Sequence, residues 1–168
     1  ILVDPFFIGK LPAWFEITFP LLYRILPFLK GMGPFASYEE AENLAKNLKQ
    51  YRGWNSWQQK AFQESIRLRD DGQWVSKFSV SARNGIFKYV MKVNGLTQKL
   101  TIPTLFIKPE AGLNRTNWQL RPYRNYLTNL EIKEVPGNHW AFLVEPEKFN
   151  QTIASFLDEV KRKKMREL

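Results

Sequence analysis

Apolar residues run unbroken through Ile1, Leu2 and Val3 and stop at Asp4-Pro5, a pattern that predicts a short buried strand ending in a turn. Residues 11–30 are apolar almost throughout, interrupted by Pro12, Pro20 and Pro27 and closed by Gly31 and Gly33. Two short helices broken at Pro20 are expected there. Ser37 starts a cleaner pattern: Ser37-Tyr38-Glu39-Glu40 is a capping box, and Ala41, Leu44, Ala45 and Leu48 follow at helical spacing. A second capped helix is expected from near Asn55, with Gln58 at its third position, towards Arg69. Asp71-Gly72 is a tight-turn signal between 66–69 and 74–78, where a small hairpin or a helix end both fit. Residues 81–93 read as helical again, so 11–100 is expected to be largely helical, without a strong strand.

The pattern changes at Pro103. Thr104-Leu105-Phe106-Ile107 predicts a core strand, followed by a loop over 108–112 and a helix over 115–126. Leu130, Ile132 and Val135 anchor a second strand that ends at Pro136-Gly137. Past His139 a helix is expected from Pro146 to about Lys161, because proline suits a first helical turn, where its missing N–H needs no partner. Phe149, Ile153, Phe156, Leu157 and Val160 supply that helix with an apolar stripe. Strand, helical block, strand, helix, strand, helix is the order of an α/β fold: a parallel sheet of about three strands with an inserted helical segment. So thin a sheet has two edges needing cover, as though much of a larger sheet were missing.

Composition narrows the chemistry. The 168 residues are one ordinary domain's length, and 44% hydrophobic with 24% charged residues is a globular composition, which excludes wholesale disorder. Aromatics reach 15%, enough to line apolar pockets as well as fill a core. With no cysteine and one histidine, thiolate chemistry, disulfides and multi-histidine zinc sites are excluded, so no metal or cofactor is expected. The net charge is +9, and part of it sits in a tail over 161–168 carrying Lys161, Arg162, Lys163, Lys164 and Arg166. No nucleic-acid-binding motif accompanies that tail, so no nucleic-acid partner is expected, although an anionic membrane surface is a second use for it. The charges and prolines within 11–29 argue against a transmembrane segment, and the expected location is cytoplasmic.

His139 is the only imidazole, placed on a strand-to-helix loop after Gly137 and flanked by Trp140 and Phe142, which could exclude water. Such a group can take a proton from a hydroxyl and return it to a leaving group. The stretch Val135-Pro136-Gly137-Asn138-His139-Trp140, running through Glu145-Pro146 to Phe156-Leu157, resembles the end of α/β-hydrolases. There the last strand yields a glycine-bearing loop with the catalytic histidine, then a final helix. Residues 102–107 resemble that family's preceding core strand, and 1–5 the strand before its cap. The resemblance covers essentially the whole chain. It implies core portions at 1–5 and 101–160, a helical cap or lid at 6–100, and a basic tail at 161–168.

In that family a carboxylate orients the histidine, commonly an aspartate shortly after the strand that here is 104–107. This chain has Gly112 at that place. Glu110 remains in the loop, and some lipase-like members take their acid from the end of the previous strand, which here is Asp4. Glu110, Asp4 and no acid in this chain all stay open. The nucleophile elbow Gly-x-Ser-x-Gly does not occur. Family order places it upstream of Ile1, so the chain is expected to be a C-terminal half, or one chain of a split protein, inactive without the other part.

The resemblance implies ester or acyl hydrolysis through serine, histidine and an acid. Phe6, Trp14, Phe15 and Trp140 are the candidates to bind an apolar small-molecule ester or acyl substrate. An aspartate nucleophile on the same fold is a variant of that reading. The alternative from another class is a non-catalytic α/β-hydrolase-like module that binds an apolar ligand or a protein partner.

Overall fold

The computed structural model describes residues 1–6, 9–25, 31–89, 92 and 94–166, the side chains of Leu22 and Tyr23 apart. The chain forms two compact units, one from Ile1–Gly9 with Asn94–Leu168 and the other from Lys10–Val93.

The first unit is built on a parallel sheet of three strands, β1 (Leu2–Val3), β4 (Thr104–Ala111) and β5 (Leu130–Asn138), in the order β1-β4-β5. Leu2 stands opposite Phe106, and Phe106 opposite Ile132. The fold is therefore α/β, as the strand-helix alternation requires. β4 is the buried centre, with Leu105, Phe106 and Ile107 all 0% exposed. Alternation sends its side chains to two faces. Leu105 and Ile107 pack with Val135, Ala141, Phe149 and Phe156 on one side, whereas Phe106 meets Leu120, Tyr123 and Leu127 on the other.

The helices of this unit form where caps and stripes dictate. Helix α5 (Asn117–Tyr126) starts two residues later than its apolar pattern suggests, because Thr116 caps it and Gln119 reciprocates. The short α6 (Ala141–Val144) leads into α7 (Pro146–Arg166), which opens on its proline. The buried stripe of α7 is Phe149, Ile153, Phe156 and Val160, while Leu157 is 52% exposed, one position off that face. β5 holds one more residue than β4 across a late step: Pro109 pairs with Val135 but Ala111 with Asn138. This bulge contains Gly137, whose φ of +97° suits glycine, and it turns the end of β5 towards His139.

In the second unit a 3₁₀ turn over Ala13–Thr18 runs directly into α1 (Phe19–Ile25). Pro20 sits in the first turn of α1 and so does not break it, which corrects the expected break. Leu26 to Lys30 lie outside the described residues, as do Val90, Met91 and Val93 beyond α4 (Val80–Tyr89). Ser37 caps α2 (Tyr38–Lys46) through the N–H of Glu40, and the Glu40 carboxylate returns to the N–H of Ala36. Asn55 and Gln58 form a full capping box on α3 (Ser56–Ser65). That helix stops short of Arg69 because Ile66–Leu68 (β2) turns back at Gly72 to pair antiparallel with Trp74–Ser76 (β3). Of the two readings of Asp71-Gly72 the hairpin is the one present, and the helix expected to run towards Arg69 ends at Ser65. Phe35, Ala41, Ala45, Tyr51, Phe62 and Ile66 form the core of this unit, sealed by edge-on aromatic contacts such as Tyr51 to Phe62 at 5.9 Å. Among the described residues no helix is long and apolar enough to cross a membrane.

Candidate active site

Three chain segments converge at the ends of the parallel strands. β1 delivers Asp4, whose N–H donates to the Ile107 carbonyl at 2.9 Å, extending the sheet by one residue. Asp4 then takes a left-handed φ of +37°, a conformation that aspartate tolerates better than most residues. Its carboxylate turns inward and is 0% exposed. β4 runs on into Gly112-Leu113-Asn114, where the backbone N–H groups of Leu113 and Asn114 face that carboxylate while that of Gly112 donates to the Pro109 carbonyl at 3.0 Å. β5 and its bulge deliver His139.

The ring nitrogen Nδ1 of His139 lies 3.0 Å from Asp4 Oδ2. The Leu113 N–H donates to the same oxygen at 2.7 Å. The Asn114 N–H and side-chain amide donate to Oδ1 at 3.1 and 2.8 Å, and that amide also reaches the Pro5 carbonyl at 2.8 Å. A buried carboxylate costs far less when its lone pairs are met in this way. Beside an ionised carboxylate Nδ1 must carry the proton, which leaves Nε2 as the basic nitrogen. Among the described residues no group bonds Nε2, and the His139 side chain is 27% exposed. The ring lies between two aromatic residues, with Phe6 at 6.2 Å and Trp140 at 5.0 Å between centroids.

No protein-family model matches the sequence, and no curated protein matches it. Among solved structures the chain is similar to a marine microorganism esterase, with a TM-score of 0.57 over 89% of this chain at 19% identity. The fold is α/β-hydrolase-like. At that identity the likeness concerns the fold alone, and the chain spans 57% of the esterase's length. A second structure, the Vlm2 thioesterase domain with genetically encoded 2,3-diaminopropionic acid bound with a dodecadepsipeptide, overlaps loosely. Its TM-score is 0.32 at 19% identity, over 80% of this chain and 47% of that one.

On this α/β-hydrolase-like scaffold the candidate acids separate. Asp4 meets the imidazole, whereas Glu110 stands exposed near the end of β4 and makes no bond to His139. Of the four aromatic candidates, Phe6 and Trp140 flank His139. Trp14 and Phe15 belong to the other compact unit, where Trp14 is 65% exposed and Phe15 packs edge-on against Phe19 at 5.9 Å. Gly112 acquires a positive role. A Cβ on it would stand 2.5 Å from Asp4 Oδ2 and 2.9 Å from Cγ, so a glycine is what gives the Asp4 carboxylate its seat. Asn114, 2% exposed, escapes sequence reasoning because a loop asparagine carries no local sign that it will be buried. Tyr123 escapes as well: it is 1% exposed, and its hydroxyl donates to the Phe6 carbonyl at 3.0 Å. Burial and the Asp4 charge push its phenol up to about 12, so it stays a neutral donor that holds the Phe6 backbone.

Burial drives the Asp4 carboxyl upward, but the hydrogen bonds from His139, Leu113 and Asn114 together outweigh it and leave it below the ordinary value. The group therefore binds a proton less readily folded than unfolded. Its contribution to stability is complete above the unfolded value of roughly 3.9 and is lost as pH falls through the lower folded value. Thermal melts are expected to show Tm falling in acid below pH about 4. The fall should be shallower in Asp4→Asn, which has no proton to take up there. Parallel acid profiles for the two proteins would refute this assignment.

Proposed function

We propose that the chain carries the base and the orienting acid of a serine-type acyl hydrolase. The carrying observation is the 3.0 Å contact between His139 Nδ1 and a buried, fully hydrogen-bonded Asp4 carboxylate. Asp4 fixes the tautomer and orientation of the ring. Nε2 takes the proton of a serine hydroxyl as its oxygen attacks the ester carbonyl, then returns that proton to the departing alcohol. Water attacks the acyl-serine by the same route, releasing the acid and regenerating the hydroxyl. No cofactor enters this sequence. The nucleophile comes from outside the given residues, in a preceding segment or a companion chain, since no Gly-x-Ser-x-Gly occurs within them. Phe6 and Trp140, standing against the ring, favour an apolar acyl or alkoxy group.

The missing elbow also favours a second reading, a non-catalytic module of the same fold that binds an apolar ligand. Two measurements on the protein with any upstream sequence that its gene encodes separate them. These are hydrolysis of p-nitrophenyl butyrate, and covalent labelling by a fluorophosphonate read by intact mass. Turnover with one phosphonate per protein, mapped to a serine, supports the hydrolase. Neither turnover nor label, in a folded protein, leaves the binding module.

A further inference from the structure

β1 is two residues long, and the Asp4 N–H extends its pairing with β4 by a single step. Pro5 comes next, with no N–H to offer a neighbouring strand, and Phe6 follows with 42% of its surface exposed. Burial alone restrains such a side chain weakly. Its ring nevertheless stands 6.2 Å from that of His139. Two buried side chains take hold of this stretch by its carbonyls. Nδ2 of Asn114 donates to the Pro5 carbonyl at 2.8 Å and to Asp4 Oδ1 at 2.8 Å. Neither acceptor has a proton to give, so the amide nitrogen must face them, and both of its hydrogens are used. The Tyr123 hydroxyl donates to the next carbonyl, that of Phe6, at 3.0 Å.

Neither holder can follow a moving segment. The Tyr123 ring packs edge-on against Phe106, at the buried centre of β4, with 4.8 Å between centroids. Its backbone belongs to α5, which Thr116 and Gln119 cap. The loop bearing Asn114 is fastened to the same helix, because Gln119 Nε2 donates to the Leu113 carbonyl at 2.8 Å. Arg115 laces the other side of that loop: Nε donates to the Gly112 carbonyl at 2.9 Å, and a terminal guanidinium nitrogen to that of Ala111 at 3.2 Å. The two holders act on different members of the site. Asn114 ties the Asp4 carboxylate to the backbone one residue on, so it fixes where the charge stands. Tyr123 fixes the backbone from which the Phe6 ring projects. Side chains that are themselves locked by packing and hydrogen bonds are what hold a site to a narrow geometry.

We propose that Asn114 and Tyr123 are positioning residues that clamp the stretch from Asp4 to Phe6, Asn114 setting the acid and Tyr123 the aromatic wall beside His139. The chemical use of the clamp rests on the reading of Asp4 and His139 as acid and base, but the clamp itself is read without turnover. The probe is His139, the one imidazole in the given sequence, followed by proton NMR in the intact protein and assigned by its loss in His139→Ala. A proton held between Nδ1 and a carboxylate resonates well downfield of the ring-carbon protons. Asn114→Leu is expected to move it upfield and to speed its exchange with water about tenfold, because the carboxylate loses a donor that fixes its place. Asn114→Ser, with one hydroxyl proton for two acceptors, should show the same change in smaller measure, and it serves if the leucine variant does not fold. Tyr123→Phe should leave the Nδ1 proton in place but move the His139 ring-carbon protons part of the way to their positions in Phe6→Ala, since an aromatic ring shifts nearby protons steeply with distance. Backbone amide signals remote from the site should stay as in the wild type. Wild-type His139 signals in the Asn114 and Tyr123 variants would overturn the clamp and leave the acid–base pair standing. Changes of equal size in both variants, spread through the whole amide spectrum, would overturn it as a general loss of packing. A wild type without the downfield proton at any pH would remove the Asp4–His139 pair itself, and the clamp together with the proposed acid.

Discussion

Under the proposed serine-hydrolase function, His139→Ala is expected to lower kcat by roughly 10⁴- to 10⁶-fold, and Asp4→Asn by roughly 10⁴-fold. The two losses have different origins. Alanine at 139 removes the proton acceptor outright. Asparagine at 4 keeps the shape of the carboxylate but not its charge, and its amide can present a donor towards Nδ1. The ring then has no strong reason to hold its proton on Nδ1, and Nε2 stops being the basic atom. The hydrogen bonds that Leu113 and Asn114 donate to Oδ2 and Oδ1 now compete for a single amide oxygen. Because the two residues act as a unit, Asp4→Asn/His139→Ala should be no slower than His139→Ala alone. Steady-state kinetics on the four proteins check this. Additive losses, or an Asp4→Asn enzyme at wild-type speed, would remove Asp4 from the mechanism and return Glu110 to consideration.

Gly112→Ala is expected to destabilise the first unit by about 2–4 kcal/mol and to lower activity in parallel, through a single methyl group. Gly112 does not stand in the left-handed region, so alanine brings no backbone penalty. The whole effect is the 2.5 Å approach of the new Cβ to Asp4 Oδ2. Two groups can give way, and neither does so cheaply. Asp4 is held by the sheet through its N–H and by four hydrogen bonds through its carboxylate, including that from His139. The 112–114 loop is held by those same bonds. Relief therefore means exposing or unpairing a buried carboxylate. Denaturant melts read the stability term, and kinetics read the displacement of Asp4. If Gly112→Ala melts as the wild type does and keeps full activity, the tight seat assigned to the carboxylate is wrong. A matched control is Gly85→Ala, where nothing lies within 4 Å and a helix former replaces glycine, so no loss is expected.

The α/β architecture could be read from local pattern because each element announced itself physically. Residues 105–107 form an unbroken apolar run in which both faces must be covered, and they became the doubly buried centre of the sheet. Ser37 and Asn55 marked helix starts that their side chains now cap. Periodicity was a poorer guide where sequence-distant pairing competed with it. Residues 66–68 continue a helical run on paper, but pairing with 74–76 takes them into a strand. Leu157 lies near the apolar stripe of α7, yet the sheet covers only the face of Phe149, Ile153, Phe156 and Val160.

The site divides along the same line. The sequence by itself determined that a single histidine follows a glycine-bearing strand end, that Asp4 follows a short strand, which proves only half-buried rather than buried, and that no serine elbow occurs in the given residues. These are properties of residue type and short spacing. Only the tertiary structure decided which carboxylate lies against the histidine, because Asp4 and His139 are 135 positions apart and nothing local links them. It also reversed the meaning of Gly112, which as a letter in a loop looks like a lost aspartate. In three dimensions it is the vacancy that an aspartate from the neighbouring strand fills. The physical reason is that a parallel sheet brings the ends of β1, β4 and β5 to one edge, so residues remote in the chain can share one buried charge.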